Sequence, residues 1–215
     1  MNARSIIISV VMLLAMPVVV PAAEPAETTP HWSAEVKGGV FYPDIDGWKT
    51  YYGDDKTWHY AGSLAYKLFR QVEVGVEGGY IKDRGLGYAP LNGVLTGKVT
   101  YELAPLNVFV LLRAVFSENQ WLVPYAGGGW TRMYYRERIE GQPSAKGSVD
   151  GYHGRAGIQI LLDGMDPRAA NNMLMDYGVD HTYFFGEVEI THATIGTPSL
   201  NIGGKSYLMG LLFEF

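Results

Sequence analysis

The final segment, 206–215, alternates without a break. Tyr207, Met209, Leu211, Phe213 and Phe215 share one parity; Ser206, Leu208, Gly210, Leu212 and Glu214 share the other. A repeat of two puts the first set on one face of a β-strand. That face is large, apolar and aromatic, and the opposite face is smaller and mixed. A strand built this way needs an apolar medium along one whole side, so a chain made of such strands has few folds open to it.

The other end of the sequence is organised differently. Arg4 supplies a positive n-region, 6–20 is an apolar h-region, and Val20-Pro21-Ala22 places small residues before a cut after Ala22 or Ala23. This reads as a cleaved secretory signal over 1–23, leaving 24–215 to fold. No cysteine is present, which excludes a lipoprotein anchor and a disulfide framework. No later segment holds the 18 or so continuous apolar residues of a membrane helix.

Composition narrows the choice. Glycine numbers 27 and tyrosine 15 among 215 residues, and aromatics make up 13%. Soluble domains average about 7% glycine. Glycine relieves crowding between tilted strands, and Tyr and Trp suit the two membrane interfaces. The net charge of −5 lacks the basic excess that a nucleic-acid partner requires.

Eight amphipathic strands are expected. The first, 33–42, sets Ala34, Val36, Gly38, Val40 and Tyr42 against Ser33, Glu35 and Lys37. The second, 56–68, sets Trp58, Tyr60, Leu64, Tyr66 and Leu68 against His59, Ser63 and Lys67. A tight link at 69–71 leads to the third, with Val72, Val74, Val76 and Tyr80 opposite Glu73 and Glu77. A loop follows over 83–93. In the fourth, Leu95, Gly97, Val99, Tyr101 and Leu103 oppose Lys98 and Glu102. Unbroken parity past Pro105 would send Arg113 into lipid, so a bulge is expected within 104–107, where proline is tolerated. After a turn at 117–120, the fifth strand, 121–138, places Tyr125, Gly127, Gly129, Met133 and Tyr135 outward, opposite Trp130, Arg132, Tyr134 and Arg136. Beyond a polar loop at 141–148, the sixth is 152–162, the seventh 182–194 and the eighth 206–215. Longer segments at 43–55, 84–93, 139–149 and 195–204 then share one end of the molecule. An even count puts both termini at the other, periplasmic end.

One link at that end is long. Over 163–181, Asp166 caps, Pro167 suits the first helical position and Gly178 suits the stop, which predicts a short helix between strands six and seven. Met173, Leu174 and Met175 equip it to plug the mouth or to lie at the inner lipid interface.

With the apolar faces assigned to lipid, the interior acids are Glu35, Glu73, Glu77, Glu102, Glu187, Glu189 and Glu214. The interior bases are Lys37, Lys67, Lys98, Arg113, Arg132, Arg136 and Arg155. His59, His153 and Gln159 join them. Eight strands enclose a bore that side chains fill, and buried ions must pair. The balanced sets predict a cross-linked, plugged lumen rather than a charge-selective pore.

The mature region resembles small eight-stranded outer-membrane β-barrels of the OmpX, OmpA-domain and OmpW kind. The eight-strand pattern, the run Pro124-Tyr125-Ala126-Gly127-Gly128-Gly129 and the strand ending at Phe215 carry the likeness. It implies an all-β antiparallel transmembrane barrel in the bacterial outer membrane, bathed in lipid and lipopolysaccharide. It also implies a monomer, and a C-terminal strand (Tyr207, Met209, Leu211, Phe213, Phe215) read by the barrel-assembly machinery. Relatives of this kind serve structural or adhesive roles, or conduct small hydrophobic molecules; the charged interior departs from the apolar lumen of the OmpW kind. A different resemblance sits on strand seven. His192 and Thr194 share an outward face, as the His-x-Ser of PagL-type lipid A deacylases does, where a hydroxyl nucleophile needs an imidazole base held by a carboxylate. Thr194 replaces serine, Ile195 stands where that family has asparagine, and strand eight offers no outward acid. The acidic segment Asp44, Asp46, Gly47, Asp54 and Asp55 has part of a calcium loop but lacks its closing Glu. The histidines show no metal-ligand spacing, and no cofactor is implied. The expected function is non-enzymatic, structural or surface-interacting, with a narrow conduit and a deacylase as the alternatives.

Overall fold

The computed structural model describes residues 31–85, 97–117, 120–140, 143–196 and 200–215. In chain order the elements are β1 (Trp32–Pro43), α1 (Trp48–Tyr52), β2 (Thr57–Phe69), β3 (Val72–Gly85), β4 (Val99–Arg113), β5 (Leu122–Ile139), β6 (Ala145–Leu161), α2 (Pro167–Tyr177), β7 (His181–Ile195), β8 (Leu200–Asn201) and β9 (Gly204–Glu214). Each long strand pairs antiparallel with its sequence neighbour. β7 pairs with β9, and β9 closes on β1, with Ser33 opposite Glu214 and Pro43 opposite Gly204. The result is a closed eight-stranded antiparallel barrel. The short β8 pairs only with the end of β7. Closure leaves the eight long strands without an unpaired edge, which is what permits strands to cross lipid.

The parity rule explains the surface. Val36, Leu64, Val76, Val108, Val110, Leu112, Ile158, Val188 and Ile190 all stand exposed on the outer wall, ringed by Trp58, Tyr60, Trp130 and Tyr152. A continuous apolar wall of this extent belongs in a bilayer rather than in water. No described helix is long and apolar enough to cross a membrane; the strands do so.

Several segments depart from the sequence reading. β3 runs on to Gly85 and β6 begins at Ala145, so residues expected in the loops at 83–93 and 141–148 extend the ladders instead. At 18 residues, β5 is far longer than the 9–11 needed for a tilted crossing. β4 has no bulge. Its register with β3 is the same at Gly78–Leu106 and Ile81–Leu103, and its pairing with β5 is unbroken. Pro105 simply lacks a donor there. Val99, Tyr101 and Leu103 therefore face inward and Lys98 and Glu102 outward, the reverse of the expectation. Leu95 and most of the 84–93 segment lie outside the described residues, as does the 1–23 signal.

The expected helix forms at the end where β1 begins and β9 finishes. The Asp166 carboxylate accepts from the amides of Arg168 and Ala169 at 3.1 Å each, Pro167 opens the helix, and Gly178 takes φ 70° beyond its end. No residue of α2 is buried, so it does not plug the barrel. At the opposite end, α1 stands within a segment expected to be loop.

Candidate functional site

The bore is the candidate site, and it is layered. Nearest the start of β1 and the end of β9, Arg113 on β4 reaches across the full diameter to Glu214 on β9 while also holding Glu73 at 2.6 Å. Its Nε donates to Gln159 at 2.9 Å, and Ser33 Oγ donates to Glu73 at 3.2 Å. Lys67 pairs with Glu214 at 2.6 Å, and the Arg113 guanidinium lies 5.4 Å from the Tyr183 ring centre.

A second charged layer lies at mid-barrel. Lys37 on β1 bridges Glu77 on β3 and Glu187 on β7, each at 2.6 Å. Arg155 on β6 binds Glu77 at 2.8 Å, with Glu187 at 3.6 Å and Glu35 at 3.7 Å. Hydroxyl and amide groups complete this layer. Tyr125 donates to Glu187 at 2.9 Å, Ser63 to Glu35 at 2.8 Å, and Asn107 to Glu77 at 3.1 Å. His59 Nδ1 meets Ser206 Oγ at 2.9 Å and His153 Nδ1 meets Thr131 Oγ1 at 2.8 Å.

Glycine makes room for this layer. A Cβ on Gly129 would lie 1.9 Å from the Val108 carbonyl oxygen, and one on Gly127 2.3 Å from that of Val110. The glycine run thus lets β4 and β5 approach where side chains on both would collide.

The far mouth is apolar. Phe41, Ile81, Tyr101, Leu103, Met133, Ala193 and Ile202 form one buried cluster, and Trp48 of α1 folds down onto it at 4% exposure. Trp48 stacks on Tyr52 with ring centres 4.0 Å apart and meets Tyr101 edge-on at 5.2 Å. Burial pushes the Tyr52 hydroxyl above its ordinary range.

Of the predicted lumen charges, the structure brings Glu35, Lys37, Lys67, Glu73, Glu77, Arg113, Arg155, Glu187, Glu189 and Glu214 into the bore. It does not bring in Lys98, Glu102, Arg132 or Arg136. These stand on the outer wall, where Glu102 accepts from Lys82 at 2.9 Å and Arg132 pairs with Asp150 at 3.2 Å. Trp130 and Tyr134 are likewise outside and add nothing to the plug. The expected charge balance consequently fails: among the described residues six carboxylates and four Lys or Arg side chains are buried. Glu189 has no salt bridge among them, and its Oε2 has no hydrogen-bond partner. Sequence reasoning missed Tyr125, Asn107, Thr131 and Trp48. Tyr125 and Thr131 lie on the parity continuous with Val123, which an inward reading of β5 would have collected, and Asn107 shares the inward parity of Arg113 on β4.

His192 and Thr194 face outward. His192 tilts against Tyr152 at 5.3 Å, and no described hydrogen bond joins it to Thr194 or to a carboxylate. The acidic segment is drawn to the barrel by Asn201, which donates to Asp44 at 2.7 Å. No described group of three or more His, Asp or Glu side chains is placed to hold a metal. The C-terminal stripe of Tyr207, Met209, Leu211, Phe213 and Phe215 lines the outer wall of β9, and the Phe215 backbone bonds to His31 and Trp32.

The family model for the outer membrane protein beta-barrel domain matches residues 8–205. Among solved structures the chain is similar to the outer membrane protein OprG from Pseudomonas aeruginosa, at 14% identity and TM-score 0.61 over 87% of this chain and 96% of that one. It is similar to Neisserial surface protein A, at 10% identity and TM-score 0.56 over 88% and 100%. The N-terminal β-barrel domain of Pseudomonas aeruginosa OprF gives 14% identity and TM-score 0.52 over 87% and 98%. At these identities the likeness is one of fold. No curated protein matches the chain. The apolar outer wall, the closed ladder and the match over 8–205 agree: the chain belongs to the outer membrane protein β-barrel domain family and is an integral protein of the bacterial outer membrane.

Proposed function

We propose that this is a non-enzymatic outer-membrane barrel whose plugged, charge-networked lumen serves a structural or surface-interaction role. The observation that carries this reading is the pair of bridges crossing the bore, Arg113 to Glu214 and Arg155 to Glu77, beneath the Trp48 cap. An eight-stranded barrel has no spare diameter, and side chains linked across it occupy the space a solute would need.

In the same reading, residues 1–23 are a cleaved signal, and both termini and α2 face the periplasm. The elongated hairpins and α1 then project outward. The mature chain is a monomer in contact with lipopolysaccharide, and its C-terminal strand is what the assembly machinery engages. Short turns at the terminus end and long hairpins opposite support this orientation.

Planar-bilayer recording of the purified protein tests the reading. It predicts at most small and infrequent conductance; a large, steady, ion-selective current would favour a conduit instead. Mass spectrometry of lipid A from cells with and without the protein tests the absence of deacylase chemistry, and the two spectra should match.

A further inference from the structure

The outer wall carries a basic row that the lumen does not explain. Lys82, Glu102, Arg136 and Lys146 are successive cross-strand neighbours on β3, β4, β5 and β6. Glu102 is already committed, accepting from Lys82 at 2.9 Å and from Tyr80 at 3.2 Å, with Arg138 at 3.7 Å. Arg136 and Lys146 stand directly opposite each other, and among the described residues neither has a hydrogen bond or an ion pair. Like charges facing across a ladder repel, so an anion between them is the arrangement that relieves the pair.

The surroundings say which anion. Arg136 and Lys146 border an open cleft of about 520 Å³ whose walls include Tyr80, Tyr134, Ser148 and the already paired Glu102. Two same-face steps down the strands, past Tyr134 opposite Ser148, Arg132 opposes Asp150; a third step reaches Trp130 opposite Tyr152, on the apolar belt. The cations therefore sit beyond the apolar belt and the Arg132–Asp150 pair, on the headgroup side, at the end opposite the start of β1. Cations at that depth attract anionic lipid headgroups, and Arg with Lys is a fitting pair for phosphate. Tyrosine rings flanking a phosphate site give a sugar a flat surface to lie on.

We propose that the cleft binds lipopolysaccharide, with a phosphate of its lipid A between Arg136 and Lys146 and the attached sugar against Tyr80 and Tyr134. The inference rests on the orientation proposed above, which places this end in the outer leaflet.

The test uses the refolded full barrel in detergent with a chelator present, so that divalent ions do not bridge. Lipopolysaccharide is titrated against the native protein and against the double variant Arg136→Gln, Lys146→Gln, reading binding from the rise in the temperature at which the folded gel band is lost. Both side chains are exposed, so the variant's folded band should match the native one without ligand. The double change should weaken lipopolysaccharide binding roughly tenfold, and dephosphorylated lipopolysaccharide should bind the native protein as weakly. Equal binding by native protein and variant overturns the proposal. So does full binding of the dephosphorylated lipid, or displacement by inorganic phosphate at comparable concentration. Orientation is read separately, by labelling Asp55→Cys on intact cells with a membrane-impermeant maleimide. Labelling together with lost discrimination rejects the site alone, and absence of labelling rejects the orientation beneath it.

Discussion

The guanidinium of Arg155 lies over the ring of Phe109, its central carbon 3.8 Å from the ring centre, while its Nη1 donates to Glu77 at 2.8 Å. The flat group thus joins the apolar lining to the charged layer, a task lysine cannot duplicate. Arg155→Ala leaves Glu35 and Glu187 with one cation fewer and should cost about 3–5 kcal/mol. The urea midpoint of the refolded barrel measures this, and Arg155→Lys should recover only part of the loss.

Carboxylates in the same bore should not be equal. Glu77 joins Lys37, Arg155 and Asn107, whereas Glu189 meets no cation within salt-bridge reach. Glu77→Gln should lower stability by about 3 kcal/mol, and Glu189→Gln by less than about 1 kcal/mol. Equal losses would show that the bore spreads its charge more evenly than the bridges indicate.

Lipid-facing and lumen-facing positions should separate in the same assay. Val108, opposite Val76 and Trp130, is outward near the middle of its strand. Val108→Arg should cost about 2–4 kcal/mol. Glu73→Gln should cost nearer 1 kcal/mol, because Arg113 keeps Glu214. Heat-modifiable gel migration reports assembly for both.

The helix α2 buries nothing, so its removal should be tolerated. Replacing 165–177 with a short glycine turn preserves Asp163, which accepts from the Thr182 amide at 3.0 Å and meets His181 at 2.7 Å. Thermal stability in detergent should change by less than about 1 kcal/mol. A larger drop would mean that the exposed Leu174 and Tyr177 contribute to the fold.

How far the sequence could be read depends on depth in the membrane. Glu73 and Glu77 alternate with Val72, Val74 and Val76, and Glu187 and Glu189 with Val188 and Ile190; there polar means inward, and the alternation is plain. Beyond the bilayer the rule inverts. The outer face of β5 is wet at Arg132 and Arg136, and its inner face is dry at Met133 because the mouth is closed by an apolar cluster. The same inversion turned Leu103 inward and Glu102 outward on β4. Trp48 was illegible for another reason: a single aromatic residue in a loop has no period to betray where it packs. The helix at Pro167 was legible because cap, first residue and stop are local chemistry.

The bridges across the bore also have a mechanical meaning. Arg113 to Glu214, Lys37 to Glu77 and Glu187, and Arg155 to Glu77 act as spokes, tying wall to wall at two levels. An empty tube of hydrogen-bonded strands flattens under sideways load by shearing its ladders, whereas a spoked one must stretch ionic contacts to do so. Lateral pressure from the bilayer therefore meets a brace rather than a compliant ring, and the cross-section at mid-barrel is held by side chains, with the backbone free to flare only at the open hairpins.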